Sequence, residues 1–401
     1  MAMHIIRCFG DRYEFWLLTD KMITLRPDLV RALLPAMDFV FPLTDKSFRL
    51  LRQAAESLPM PPSIFWVHHV TSWNPSLQAA AKSATELIAC TPEWKTHIEA
   101  QGFGSPVTVV RHGVDANFFR RVIPRRKDFG IPEDAFVIGL VGNKTSNYDA
   151  GRKGLDTLER VAREVRTRIP TLHLCFLGLG WDEEVGQFQQ RGISANYTGF
   201  ISQSRLPVFY SSIDVHLVTS RVEGGPVTVL EAMACETPVV STRVGLVNLT
   251  IRNGNNGFSA EADDIESLVR HICSLYGSGR LRSAIGVAAR ASVRERLSWD
   301  KTLHQLEAPL ARMEAQSKCS RAAASLASLN AASQLIGAVH TMDGLLWGLM
   351  SCWAGLISPR VGFRMVKACW EGYGAGDVWR GLRLVTRSSF RAASLRKTLS
   401  V

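Results

Sequence analysis

The chain has 401 residues, 46% of them hydrophobic and 21% charged, a balance that suits two or three globular domains and excludes both a disordered chain and a polytopic membrane protein. Forty-seven Lys and Arg against 36 Asp and Glu leave a formal charge of +11, but the excess is local. From Ser317 onward eleven basic residues meet three acidic ones, so the tail carries +8 and the body is close to neutral. A near-neutral body whose aromatics are not interleaved with basic residues argues against a nucleic-acid partner. The eight cysteines lie far apart with no C-x-x-C pair, so neither a zinc site nor a redox dithiol is expected, and most sit in apolar runs as small buried hydrophobes in a reducing compartment. No basic segment leads into an apolar stretch and cleavage site at the N-terminus, and the expected location is the cytoplasm.

In chain order, short apolar runs rich in β-branched or aromatic residues alternate with helical patterns, which predicts an α/β fold with parallel sheets. Strands are expected at 38–42, 63–68, 86–90, 107–111, 136–141, 173–177, 214–218 and 238–241. The polar, Pro- and Gly-punctuated stretch VIPRRKDFGIP at 122–132 marks a domain boundary. A second break follows Arg312, where the composition turns to Ala and Ser. The expected organisation is a first α/β domain over 1–125, a second over 126–315 and a helical extension over 316–401. Within the extension, the apolar run 337–357 approaches the ~20 residues of a membrane span. His340, Asp343 and four glycines make a surface-lying or re-entrant segment the better expectation. VWRGLRLVTRSSFRAASLRKTL at the end spaces Arg380, Arg383, Arg387 and Arg391 three or four residues apart, a basic stripe if helical and a candidate contact for an anionic membrane surface.

The densest chemical signal is SRVEGGPVTVLEAMACETPVV, residues 220–240. Gly224 and Gly225 permit a tight turn, and Pro226 is placed to open a helix running to about Cys235. Amides of Gly225, Val227 and Thr228 at such a helix start form a phosphate site in outline. Glu223 before the turn and Glu231 within the helix can bracket one ligand, and their natural partners are sugar or ribose hydroxyls. By itself a Glu pair at this spacing is better read as a helix cap with one exposed and one salt-bridged Glu.

The surrounding string is more specific. EGGPVTVLEAMACETPVV resembles the E-x7-E motif of retaining glycosyltransferases of the GT-B fold, family 4 (group 1), and the likeness runs through Leu87–Leu310. It implies two facing Rossmann-like domains, with a nucleotide diphosphate sugar held mainly by the second and an acceptor mainly by the first. In the segment YTGFISQSRLPVFYSSIDVHLVTSR, Gly199, Phe200 and Ile201 match residues that line the base. VGNKTSNYDAGRKGLDTL resembles the family's K-G element, in which Lys153, with Arg152, binds the diphosphate. Asn143 stands where many relatives have a further Arg, a loss for which Lys144 or Arg152 can compensate. RHGVDANFF resembles the N-G-V-D element with His112 in place of Asn, and FWVHHVTSW offers His68 or His69 for the donor sugar; only one of two neighbouring strand residues can face the cleft.

The resemblance thus implies a metal-independent retaining transferase with no cofactor besides its nucleotide sugar. The catalytic set would be Glu223, Lys153 and His68 or His69, and the donor set Arg152, Asn143, Gly199, Phe200, Ile201, Gly224, Gly225, Pro226, Val227, Thr228 and Glu231. The basic tail adds the expectation of a lipid-linked or cell-envelope glycan acceptor, used by a cytoplasmic enzyme peripheral at the inner face of the membrane. A nucleotide-sugar epimerase, a phosphorylase and a non-catalytic nucleotide-sugar-binding protein are the alternatives that fold alone leaves open. MHIIRCFGDRYEFW at the start lacks the Gly-rich loop usual after the family's first strand.

Overall fold

The computed structural model describes residues 1–13, 15, 17–68, 73–144 and 151–317. His69, the run 337–357 and the basic stripe of the tail therefore lie outside the described residues. By its contacts the chain divides into two compact units, one of residues 1–66, 74–86 and the segment from Ala308, the other of residues 67–73 and 87–307.

The first unit is mainly helical. Ala2–Phe9 is a helix, followed by helices Asp20–Leu25, Pro27–Leu33, Asp45–Ala55 and Pro75–Ser83. Thr19, Thr44 and Asn74 cap three of them by accepting from Met22, Ser47 and Leu77 amides, which satisfies donors that a helix start leaves unpaired. Ile23, Val30, Leu34, Val40 and Leu51 form the core between them. The strand expected at 38–42 does not form. Val40 makes a single parallel bridge to Ser63, donating to Pro62 O and accepting from Ile64 N. The next ladder position is Pro42, which has no N–H to donate, and the pairing stops there. Strand β1 (Ile64–Val67) is wholly buried. Glu86 is fully buried and receives two bonds from Arg312, at 2.8 and 2.6 Å, so the terminal helix Glu307–Gln316 is held by an ion pair whose carboxylate is buried and whose guanidinium is partly exposed.

In the second unit, β2 (Glu86–Ala89) and β3 (Val107–Val109) pair in parallel with Leu87 opposite Val107. The larger sheet contains β4 (Phe136–Val141), β5 (Leu172–Leu177), β6 (Ser194–Tyr197), β7 (Val215–Val218), β8 (Val239–Thr242) and β9 (Phe258–Ala260). All its pairings are parallel and its order is β6-β5-β4-β7-β8-β9. Along β4, Phe136, Ile138 and Leu140 enter one apolar cluster and Val137 the other. Both faces are covered by helices, as a parallel sheet requires. β6 and β9 were not legible as strands: SANY and FSA are too short and too polar to register as apolar runs. Among the described residues no helix is long and apolar enough to cross a membrane.

Candidate active site

Numbered within this sheet alone, the strand order is 3-2-1-4-5-6, which reverses direction between β4 and β7. In open α/β sheets the crevice at the carboxyl ends of the strands flanking such a reversal is where ligands bind. A cavity of about 300 Å³ lies there, in the size range of small-ligand sites. Leu140, Val141 and Gly142 line it from the end of β4, and Leu217, Val218, Thr219 and Ser220 from the end of β7. Gly224 to Thr228 close one side, Lys153 and Glu223 project into it, and His68 and His112 form another wall. The helix expected after the glycine turn is Val227–Ala234, with Pro226 at its N-cap.

The K-G element is fastened to the loop after β7. Arg221 N donates to Arg152 O at 2.8 Å and Thr219 Oγ1 to Lys153 O at 2.9 Å. Gly154 is left-handed at φ +64°, and a Cβ there would collide with the Thr219 carbonyl, so both the conformation and the close approach require glycine. From it the helix Leu155–Arg168 departs. These contacts bring Arg152 and Lys153 to the carboxylate of Glu223. Its Oε1 accepts from Arg152 Nη1 at 2.8 Å and from Ser220 Oγ at 3.1 Å, with Lys153 Nζ 3.8 Å away. All three charged side chains are less than a fifth exposed, which strengthens their mutual field relative to a surface pair. Trp94 Nε1 holds the Glu223 carbonyl at 3.1 Å.

His112 is 6% exposed. Its Nδ1 lies 3.2 Å from the Gly225 carbonyl oxygen, which can only accept, so Nδ1 carries the proton in that bond and Nε2 of the neutral ring holds the lone pair. A Cβ on residue 225 would lie 2.8 Å from that Nδ1 and 2.7 Å from Leu246 Cδ1. The glycine turn and the histidine are therefore fitted to each other.

The remaining sequence candidates sit outside this lining. Glu231 accepts from the hydroxyl of Tyr210 at 2.8 Å. Burial pushes its carboxyl up to about 7, with the Tyr210 bond opposing. Asn143 uses its Oδ1 to accept from Leu179 N at 2.9 Å, bracing the loop after β5. Lys144 is engaged with Glu184 and Glu183 of the helix Asp182–Gln190, which leaves Arg152 as the cation nearest Glu223. Gly199 O accepts from Gly178 N at the ends of β5 and β6. Phe200 is 76% exposed beside it, and Ile201 packs on the apolar cluster beneath. Trp181 was not singled out from the sequence; it lines the cavity and donates from Nε1 to Gly142 O at 2.6 Å. Its only signal was position, one aromatic after the glycines that end β5. His112 was noticed as a departure from a motif, but nothing in the sequence joined it to the turn at Gly225.

Residues 124–292 match the family described as "Glycosyl transferases group 1". Among curated proteins, the GDP-mannose-dependent alpha-(1-6)-phosphatidylinositol monomannoside mannosyltransferase of Mycolicibacterium smegmatis is 30% identical over 159 residues, which are 37% of this chain and 42% of that protein. The D-inositol 3-phosphate glycosyltransferase of Rhodococcus jostii is 28% identical over 242 residues, 56% of this chain and 52% of that one. The chain thus spans about half the length of these relatives or less. Of the solved structures, Thermosynechococcus elongatus sucrose-phosphate synthase superposes with a TM-score of 0.60 at 20% identity, over 75% of this chain and 81% of that one. Anabaena HepE in complex with UDP and glucose gives 0.60 at 18% identity, over 78% and 95%. At these identities the likeness establishes the fold, which is the α/β GT-B fold of those neighbours. The part of the chain that matches the glycosyl transferases group 1 family is the segment 124–292, which carries β4 to β9, the K-G element and the glycine turn.

Proposed function

We propose that the protein is a retaining, metal-independent glycosyltransferase that moves a sugar from a nucleotide diphosphate sugar to a lipid-linked or cell-envelope glycan acceptor. The observation that carries this reading is the gathering of Lys153, Glu223 and the turn Gly224–Thr228 on one cavity at the sheet's switch point. One relative's name supports the donor and acceptor classes, since it is a GDP-mannose-dependent phosphatidylinositol monomannoside mannosyltransferase.

Cleaving the donor builds negative charge on the diphosphate and positive character at the anomeric carbon. Lys153, Arg152 and the amides at the start of the helix Val227–Ala234 are fixed beside the leaving group, and charge stabilisation by such preorganised donors is usually the largest catalytic contribution. Glu223 accepts from sugar hydroxyls, and a bound donor divides the Arg152–Glu223 pair between its phosphate and its sugar. Glu231 takes the ribose hydroxyls, and the exposed ring of Phe200 offers a face to the base. With the donor so oriented, the acceptor oxygen reaches the face the phosphate leaves, and the anomeric configuration is retained. His68, which lines the same cavity, is the histidine assigned to the donor sugar.

Labelled UDP-, GDP- and ADP-sugars, offered with lipid-linked acceptor extracts and followed by product mass and the anomeric coupling in NMR, test this directly. Transfer with the donor's configuration kept is the expected result. An epimerised donor, an inverted product, or binding of every donor without turnover would overturn it.

A further inference from the structure

The wall of the cavity formed by His68 and His112 has a third member behind it. His68 follows β1, Cys90 follows β2 and His112 lies three residues beyond β3, so the carboxyl ends of successive strands place three ligand-type side chains together. His68 Nδ1 is 3.1 Å from His112 Nε2, and Cys90 Sγ is 3.5 Å from the same nitrogen. All three atoms lie within 4.8 Å of one another. Tetrahedral zinc with Zn–N of about 2.0–2.1 Å and Zn–S of about 2.3 Å separates two nitrogens by about 3.3 Å and a nitrogen from a sulfur by about 3.5 Å. The Cys90–His112 edge already has this length, and the His68–His112 edge is about 0.2 Å shorter than its value.

The orientation of His112 adds an independent argument. Its Nδ1–H is taken by the Gly225 carbonyl, and a ligating histidine characteristically gives its other N–H to a carbonyl or carboxylate, which fixes the tautomer and turns the lone pair toward the ion. That lone pair, on Nε2, points at His68 and Cys90. Two imidazoles and a thiolate with no carboxylate suit zinc and disfavour magnesium or calcium.

We propose that His68 Nδ1, Cys90 Sγ and His112 Nε2 form a three-ligand site for a zinc-class divalent cation, with its open fourth position facing the cavity that the two histidines line. Binding releases the Cys90 thiol proton to solvent as the metal–sulfur bond forms, and His68 takes the tautomer with its proton on Nε2. The Gly225 carbonyl couples the site to the glycine turn, so the cation stiffens the wall of the donor cavity. The inference stands apart from the transfer reading, in which donor cleavage uses no metal.

The full-length protein, stripped with chelator and titrated with cobalt(II), tests the site without any activity measurement. The expected result is a thiolate-to-cobalt charge-transfer band in the near ultraviolet that saturates at one equivalent, is displaced by zinc, and is lost in Cys90→Ser. His68→Ala keeps the thiol and alters a partly exposed position, and it should weaken cobalt affinity by about tenfold or more. No saturable band in the wild type, a band that persists in Cys90→Ser, or unchanged affinity in His68→Ala would overturn the proposal. The wild-type titration decides even if a variant fails to fold.

Discussion

Replacing Glu231 by glutamine gives the sharpest test of the electrostatics at this site. The carboxyl is pushed from its ordinary 4.5 up to about 7, chiefly by burial beside the fully buried Tyr210. Because the folded chain binds this proton more tightly than the unfolded chain, it keeps the proton between pH 4.5 and 7 while the unfolded chain gives it up. Stability therefore falls as pH rises through that window and levels off above it. At about 1.36 kcal/mol per pH unit, the ionised carboxylate costs on the order of 3 kcal/mol at pH 8 and about 1 kcal/mol or less at pH 5. Glutamine has the shape of the neutral acid and keeps an oxygen for the Tyr210 hydroxyl, so Glu231→Gln should be the more stable protein by roughly these amounts, with the larger gain at pH 8. Urea unfolding followed by tryptophan fluorescence at pH 5, 6.5 and 8 reads the difference. Equal stability of both proteins at pH 8, or a gain that grows toward acid, would refute the argument that Glu231 is held in its ionised form against a burial penalty.

The same substitution should weaken nucleotide binding while stabilising the fold, and calorimetry showing unchanged affinity would remove Glu231 from the ribose. Lys153→Ala is expected to lower turnover by about a hundredfold or more, the scale of losing one donor to developing charge; single-turnover transfer at the wild-type rate would take the ammonium out of the mechanism. Gly154→Ala must strain a left-handed residue against the Thr219 carbonyl, and a lower melting temperature together with lost donor binding is expected, whereas Gly151→Ala, whose Cβ would meet no atom of the described residues within 4 Å, should change neither. For the basic tail, flotation with anionic liposomes should carry the full chain upward and leave behind a chain ending after Ser317, which retains the Arg312–Glu86 pair; a full chain that stays in solution would end the membrane reading. Ending the chain earlier, or Arg312→Ala, removes two hydrogen bonds from the buried Glu86 carboxylate, and a fall in the unfolding midpoint is the expected result.

The four inner strands of the larger sheet were plain in the sequence because a strand buried on both faces must be a continuous apolar run, as FVIGLV and LHLCFL are. The glycine turn and the K-G element were legible for a related reason: a backbone that approaches a ligand or another strand closely tolerates only glycine, and Gly154 and Gly225 mark those places in the text of the chain. Short edge strands such as SANY left no such mark, and the run at 38–42 was misread because one proline, Pro42, ends the ladder after a single bridge. Tertiary structure alone decided who meets whom. Parallel strands are joined by long crossovers, so groups that share a sheet end are far apart in the chain: His68, Cys90 and His112 stand 22 residues from one another in turn, and no spacing rule would gather them. Nor could the motif reveal that Glu231 lies against Tyr210 or that Asn143 braces Leu179, since burial and hydrogen-bond partners are set by the packing of segments that the sequence lists separately.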